Sequence, residues 1–331
     1  FDKIYKSIKS GQVLSGKEVK NLENKACKIF KHKYAIAVSS GYAALRLAFS
    51  QIKKSRKCNI GLPAYCCVAI PNAILSLNYK LRPFDLQKDT FLPSVSTKYL
   101  NNLDAIVFVN TFGNNMVPRG FSKKKLEIIE DITHGFNKLT CNKKSKITKI
   151  VSLHGTKLIS SFEGGIILTN DKKKYNNFKF NRYYSDKPLS SLRQNDQMSE
   201  VEAIVAQNSL DNLERNILTR KKIFQYYIKE FKKYLNLKDF NNLRKLNKDR
   251  EIFYRFIISS KKIVFLRKKL RNMGIIVEKP ITPWIENLKN YPTSKYYFEN
   301  ILSIPFHNLL QKKHVNKVVK AIHKLNNENF N

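Results

Sequence analysis

Lys157 stands apart from the other lysines of this 331-residue chain. Many of those occur in runs, such as 123–125 and 172–174, whereas Lys157 follows His154-Gly155-Thr156 between two apolar segments. Glu163 and the pair Gly164-Gly165 come just after it. A lysine becomes a useful nucleophile when desolvation or a nearby cation favours its neutral amine. A lysine at a strand end also snorkels to water with no chemical role.

Two further stretches carry groups that suit the same chemistry. In LEIIEDITHG, residues 126–135, Glu130 and Asp131 follow an apolar strand core. Ligands of open α/β sheets gather at the carboxyl ends of strands, and a carboxylate there can keep a ring nitrogen protonated. His134 could lie beside the same ligand. Taken singly, Asp131 reads equally as a helix N-cap and His134 as an ordinary hydrogen-bonded histidine. In SSGYAALRL, residues 39–47, a strand passes through two serines and Gly41 into a helix start. Amides at such a start attract anions, and glycine permits close approach. The stretch fits neither GxGxxG nor GxxxxGK[ST], so dinucleotide and P-loop readings fail. Alone, it is also just a tight strand-to-helix turn.

The combination is more telling than the parts. An anion cradle, a strand-end aspartate and an isolated lysine, in that chain order, match the three attachments of pyridoxal 5′-phosphate (PLP). The phosphate suits the cradle, the ring nitrogen Asp131, and the aldehyde Lys157.

The elements that must position these groups follow from patterning. KYAIAVSSG, CNIGLP, KLRPFDL, DAIVFVNTFG, LEIIED, KIVSLHG and GGIILTN read as strands. Several are near-continuous apolar runs, as in central strands covered on both faces. AALRLAFSQI and CCVAIPNAILSL read as helices, the second open to a kink at Pro71. Strands alternating with helices predict an α/β fold. From about Met198 apolar residues recur at helical spacing through Ile217, as one long helix would show. EIFYRFII and IIVE then read as strands, IVFLRKKLRNMG as a helix, and Val315, Val318, Val319 and Ile322 as the stripe of a last helix. The expected division is a large domain, 1–215, and a small C-terminal α/β domain, 216–331.

Composition narrows the class. The formal charge of +37 raises nucleic-acid binding, but the basic residues are mostly lysines spread over the whole length. An AT-rich codon bias explains them without a specific nucleic-acid partner. No apolar run is long enough for a membrane span, and the first residues lack a secretory apolar core. Five cysteines without paired CxxC spacing argue against a disulfide framework and a zinc site, and for a reducing cytoplasm.

The sequence resembles the DegT/StrS family of PLP-dependent aminotransferases over nearly its whole length. The segments that carry the resemblance are IKSGQVLSGKEVKNLE, VSSGYAAL, LPAYCCVAIPNAI with RPFDL, VNTFGN, IIEDITHG, SLHGTKLISSFEGG, NDQMSEVEAIVAQNSL and LSIPFHNLLQKKHVNKVVKAI. The resemblance implies a three-layer type I PLP-transferase domain with a mainly parallel central sheet. It implies transfer of an amino group, with glutamate as donor, to a nucleotide-linked keto sugar in amino-sugar or surface-polysaccharide synthesis. By the family's pattern Lys157 joins the cofactor aldehyde and shuttles the proton, Asp131 pairs with the ring nitrogen, and His134 lies near the ring. Ser152 and the amides of Gly41, Tyr42 and Ala43 hold the phosphate. Asn195 matches an asparagine that reaches the phosphate across a homodimer interface. Three positions depart from the pattern: Tyr42 replaces a threonine, Cys67 a stacking aromatic residue, and Gln197 an arginine. Family dehydratases replace the lysine by histidine, so Lys157 favours transamination over elimination. A PLP-binding protein without turnover is the remaining alternative.

Overall fold

Short β-rich runs of this chain assemble into one large sheet and one small one. The computed structural model describes residues 2–52, 58–88, 90–113, 126–136, 146–183, 194–246 and 252–327. Asn114, Cys141 and the lysine run 123–125 lie outside them. The strands, in chain order, are β1 (Tyr34–Val38), β2 (Asn59–Pro63), β3 (Lys80–Leu86), β4 (Pro93–Ser94), β5 (Ala105–Val109), β6 (Glu127–Asp131), β7 (Thr148–Ser152) and β8 (Gly165–Thr169). Their spatial order is β1-β8-β7-β6-β5-β2-β3-β4. The contiguous run β7-β6-β5-β2-β3 is parallel; β8 runs antiparallel to both of its neighbours, and β4 to β3.

Two antiparallel steps restore direction, so β1 points the same way as β7. The carboxyl ends of β1, β6 and β7 therefore share one edge of the sheet, and the inverted β8 begins there. Gly165 is paired with Val38 on one side and Ser152 on the other. This topology alone brings SSG, Asp131, Ser152 and Gly-Gly together.

Helices cover both faces, in keeping with the apolar runs of β5, β7 and β8. On one face, helices Gly41–Phe49 and Ala69–Leu75 bury Leu45, Phe49 and Ile70 against Ile36, Ile60 and Ile129. On the other, helices Lys17–Ile29 and Glu200–Asp211 bury Leu22, Ala203 and Leu210 against Ala35, Val151 and Ile166. Pro83 is accommodated in β3 because β3 pairs with β4 only at Asp85 and Leu86, leaving that flank open at Pro83. Pro71 causes no kink. The helix starts at Ala69, so Pro71 lies in the first turn, where no intrahelical N–H bond is lost.

The expected single helix after Met198 is two. Ser199 and Glu202 form a capping box for helix Glu200–Asp211, and Asn212 separates it from helix Leu213–Lys232. Asn212 Nδ2 bonds Asn208 O at 2.9 Å, the local competition by which asparagine interrupts helices. The second helix runs through residue 215. Beyond it, β9 (Phe256–Ser259) pairs antiparallel with β10 (Ile301–Ile304), a strand the sequence reading did not single out. The expected strand at 275–278 is reduced to one bridge, Glu278 to Ser303. Helices Leu213–Lys232, Ile263–Asn272 and Lys312–Asn327 enclose this small sheet, with Val315, Val318, Val319 and Ile322 inward as their spacing predicts.

The C-terminal part is tied to the large sheet. Asp85 of β3 accepts the amides of Thr293 and Ser294 at 2.9 and 2.8 Å and so caps helix Pro292–Asn300. Tyr65, Phe91 and Phe112 pack with Tyr297 and Phe298 in one shared aromatic core.

Candidate active site

The two adjacent carboxylates of β6 part company because side chains alternate along a strand. Glu130 turns inward, where Lys149 Nζ lies 2.9 Å away and Asn110 Nδ2 donates at 3.0 Å. Asp131 turns to the strand-end edge. Its Oδ1 accepts from Thr133 N at 3.0 Å, and Thr133 Oγ1 accepts from Ser152 N at 2.9 Å, which couples the ends of β6 and β7. Burial pushes the Asp131 carboxyl up, opposed by the Thr133 hydrogen bonds and the Lys157 charge.

The turn after β1 is built for close approach. A Cβ on Gly41 would lie 2.6 Å from Ser152 Cβ, and one on Gly165 would lie 2.4 Å from Ser40 O. Only glycine fits at either place. Ser40 Oγ caps the helix by accepting from Ala43 N at 3.0 Å. The Ala43 amide is thus occupied, and the Gly41 and Tyr42 amides remain at the helix end. The Tyr42 ring lies 5.8 Å from the Arg46 guanidinium. Arg46 in turn grips Asp196 through both carboxylate oxygens, at 3.1 and 3.2 Å. Asp196 O accepts from Ser39 N at 2.9 Å, so the segment carrying Asn195 is fastened to the same turn, with Asn195 itself exposed. Cys67 is also exposed. Its neighbour Cys66 is buried; burial, with Cys67 and Asp131 nearby, pushes its thiol well up.

Lys157 sits on the loop between β7 and β8. Leu153 pins that loop by bonds to Gly164 O and from Ser161 N, at 2.8 and 2.6 Å. Lys157 Nζ reaches His134 Nε2 at 3.2 Å and Tyr254 Oη at 3.4 Å. Burial, reinforced by Lys157 and Arg255, holds the imidazolium form of His134 far below its usual range. His134 is therefore neutral near pH 7. With Nε2 accepting from Lys157, the proton belongs on Nδ1, a buried atom without a hydrogen-bond partner among the described residues. Glu163 is not a partner of Lys157: it pairs with His154 at 3.5 Å, both about half exposed.

Tyr254 is the residue that sequence reasoning missed. It is 97 residues from Lys157 and lay inside a segment read only as a strand. Backbone crossings bring it in. A Cβ on Gly135 would lie 2.4 Å from Gly113 Cα, and one on Gly113 would lie 2.0 Å from Ile252 O. Gly113 has φ +97°, which favours glycine. Two residues on from Ile252, the Tyr254 ring stacks on His134 at 4.1 Å.

A cavity of about 630 Å³ lined by Phe231, Ile258, Phe265 and Ile322 includes none of these groups. The chemistry lies at the strand ends, where a lysine, a neutral imidazole and a raised carboxyl converge. These residues fit PLP. Gly41 and Gly165 keep the cradle free of Cβ atoms, Asp131 suits a ring nitrogen, Lys157 an aldehyde, and the buried His134 Nδ1 an oxygen.

Known proteins show the same arrangement of chain. The DegT/DnrJ/EryC1/StrS aminotransferase family is matched over residues 1–323. A UDP-4-amino-4,6-dideoxy-N-acetyl-beta-L-altrosamine transaminase of Campylobacter jejuni is 27% identical over 254 residues, which are 70% of this chain and 67% of that protein. The structure of Helicobacter pylori PseC, an aminotransferase involved in the biosynthesis of pseudoaminic acid, superimposes with a TM-score of 0.83 at 20% identity, covering 98% of this chain and 95% of the other. That of a DegT DnrJ EryC1 StrS aminotransferase from Brucella abortus gives 0.83 at 18% identity over 98% and 94%. The α/β architecture with a mainly parallel eight-stranded sheet is thus the fold of these aminotransferases, and the chain belongs to the DegT/DnrJ/EryC1/StrS aminotransferase family.

Proposed function

We propose that the chain is a PLP-dependent aminotransferase that moves an amino group from an amino acid, glutamate by the family's habit, to a nucleotide-linked keto sugar. The observation that carries this reading is Lys157 Nζ held 3.2 Å from a neutral His134 at the strand end that carries Asp131. The nucleotide-sugar part is supported by relatives named as transaminases of UDP- and dTDP-linked amino sugars and as a GDP-perosamine synthase. A role in amino-sugar or surface-polysaccharide synthesis belongs to the same proposal.

When bound, PLP supplies an electron sink for negative charge developing at an amine-bearing carbon. The protein supplies position and proton transfer. The Gly41 and Tyr42 amides, with Ser152, would hold the cofactor's phosphate at a helix N-terminus. Asp131 would hold the ring nitrogen of bound PLP, and a cation there would favour its carboxylate against burial. Lys157 Nζ takes the proton from the substrate carbon and returns it. Its retention as lysine supports transfer over elimination.

We also propose a homodimer with shared sites. The exposed Asn195, and the apolar Phe162 and Leu75 left 67% and 54% exposed, support it. The proposed division at residue 215 would place Tyr254 on the C-terminal side and the other site residues on the N-terminal side. A cytoplasmic setting is supported by the free thiols of Cys27, Cys66 and Cys67; no described helix is long and apolar enough to cross a membrane.

The decisive test is absorbance of the purified protein with PLP beside Lys157→Ala, followed by amine transfer from glutamate to a panel of nucleotide-linked keto sugars. A band at the visible edge, bleached by borohydride in the parent alone, supports the reading. Its absence, or its persistence in Lys157→Ala, overturns it.

A further inference from the structure

We infer that Tyr254 is a positioning residue for the reaction: its hydroxyl is the second hydrogen-bond acceptor of the free Lys157 amine and, with His134, aims Nζ at the reacting atoms. This rests on the reading of Lys157 given under Proposed function. A neutral amine has two N–H bonds and one lone pair. His134 Nε2 at 3.2 Å and Tyr254 Oη at 3.4 Å provide one acceptor for each N–H. The lone pair is then left for the third direction, away from both rings. One acceptor would leave the amine free to rotate; two fix it.

The tyrosine is built to hold still. Its side chain is buried at 3% exposure and stacked on His134 with rings 16° from parallel. The Arg255 guanidinium lies 5.3 Å from its ring. Arg220 Nη1 donates to its backbone carbonyl at 2.9 Å. The ring also serves the other protonation state of the lysine. Nζ lies 5.4 Å from the Tyr254 centroid, within reach of a cation–π contact. Each time Lys157 is released as an amine or an ammonium, Tyr254 offers it a place beside the chemistry, which keeps the near-attack geometry.

The test is Tyr254→Phe, which keeps the ring and removes the hydroxyl. The first readout needs no cofactor: the rate at which acetic anhydride acylates Lys157, followed by mass spectrometry. The second is the split between kcat and KM for amine transfer. We expect kcat to fall roughly 10- to 100-fold with KM within about twofold, and acylation to slow by about threefold or more. The thermal midpoint should stay near that of the parent. Tyr254→His, which restores an acceptor on a flat ring, should recover part of kcat. Parent-like kcat and acylation in Tyr254→Phe overturn the inference. So does a Tyr254→Phe protein that does not fold, because the hydroxyl then serves the fold. Lys157→Ala in the same assays separates the two claims. If it still transfers amine, the proposed function fails; if it is dead while Tyr254→Phe is unaffected, only the role of Tyr254 fails.

Discussion

Glu130 and Asp131 are neighbours in the chain with opposite duties: Glu130 is sealed against Lys149 beneath the sheet, and Asp131 faces the strand-end edge. Both partners of the inner pair are 2% exposed, so neither charge has water to fall back on. Removing Glu130 leaves the buried Lys149 ammonium without its paired carboxylate. Glu130→Ala should destabilise the protein by roughly 3–5 kcal/mol, measured by urea unfolding, and reduce soluble yield. A stable Glu130→Ala protein would contradict the burial assigned to this pair.

Asp131→Asn should separate stability from activity. Burial raises the carboxyl above its usual value of 3.8, so the charged form is disfavoured in the native state once pH exceeds that value. Removing the charge removes this penalty. The cofactor-free variant should match or exceed the parent's stability at pH 7, and the difference should vanish in acid below about pH 4. Amine transfer should drop by ~10²-fold or more, through loss of the charge facing the ring nitrogen. Calorimetry at two pH values and one activity assay check both halves.

His134→Gln should alter how stability responds to acid. The native state disfavours imidazolium at His134, while the unfolded chain binds a proton near pH 6.5. The stabilising contribution is therefore complete above that pH and lost as pH falls below it. Denaturation curves from pH 7.5 to 5 should be less acid-sensitive in the variant. The change in slope is limited to about 1.4 kcal/mol per pH unit for one site. His32 and His307 are also depressed by burial and will keep part of the parental response.

Gly165→Ala should damage the cradle from below. The new Cβ would meet Ser40 O at 2.4 Å and Gly41 N at 3.0 Å, and both are backbone atoms that move only with the turn. A loss of ~1–3 kcal/mol in stability is expected, with weaker PLP binding in a fluorescence titration. Gly155→Ala is the matched control, since its nearest neighbour would be 3.4 Å away.

The legible part of this protein was the part written locally. β5, β7 and β8 announce themselves as unbroken apolar runs, and SSG before a helix declares a cap and a close approach. Lys157 was visible because its surroundings are apolar in a chain crowded with surface lysines. What stayed hidden depends on chain crossings. Tyr254 joins the site only because Gly113 admits the Ile252 carbonyl, a contact no spacing encodes. IIVE at 275–278 likewise reads as a strand by its apolar run, whereas 301–304 forms the ladder with β9 and leaves Glu278 a single bridge. The Glu130–Asp131 divergence was within reach of strand alternation, but the identity of Lys149 as the buried partner required the register of β6 against β7.

The crossing at Gly113 also sets a timetable for synthesis. By Thr169 a ribosome has delivered all eight strands of the main sheet, including the loop that bears Lys157. Tyr254 is still unmade, and the carbonyl that seats against Gly113 has yet to leave the exit tunnel. A nascent chain can thus assemble its platform early while its lysine lacks one of its two partners, and competence waits on translation of the final third.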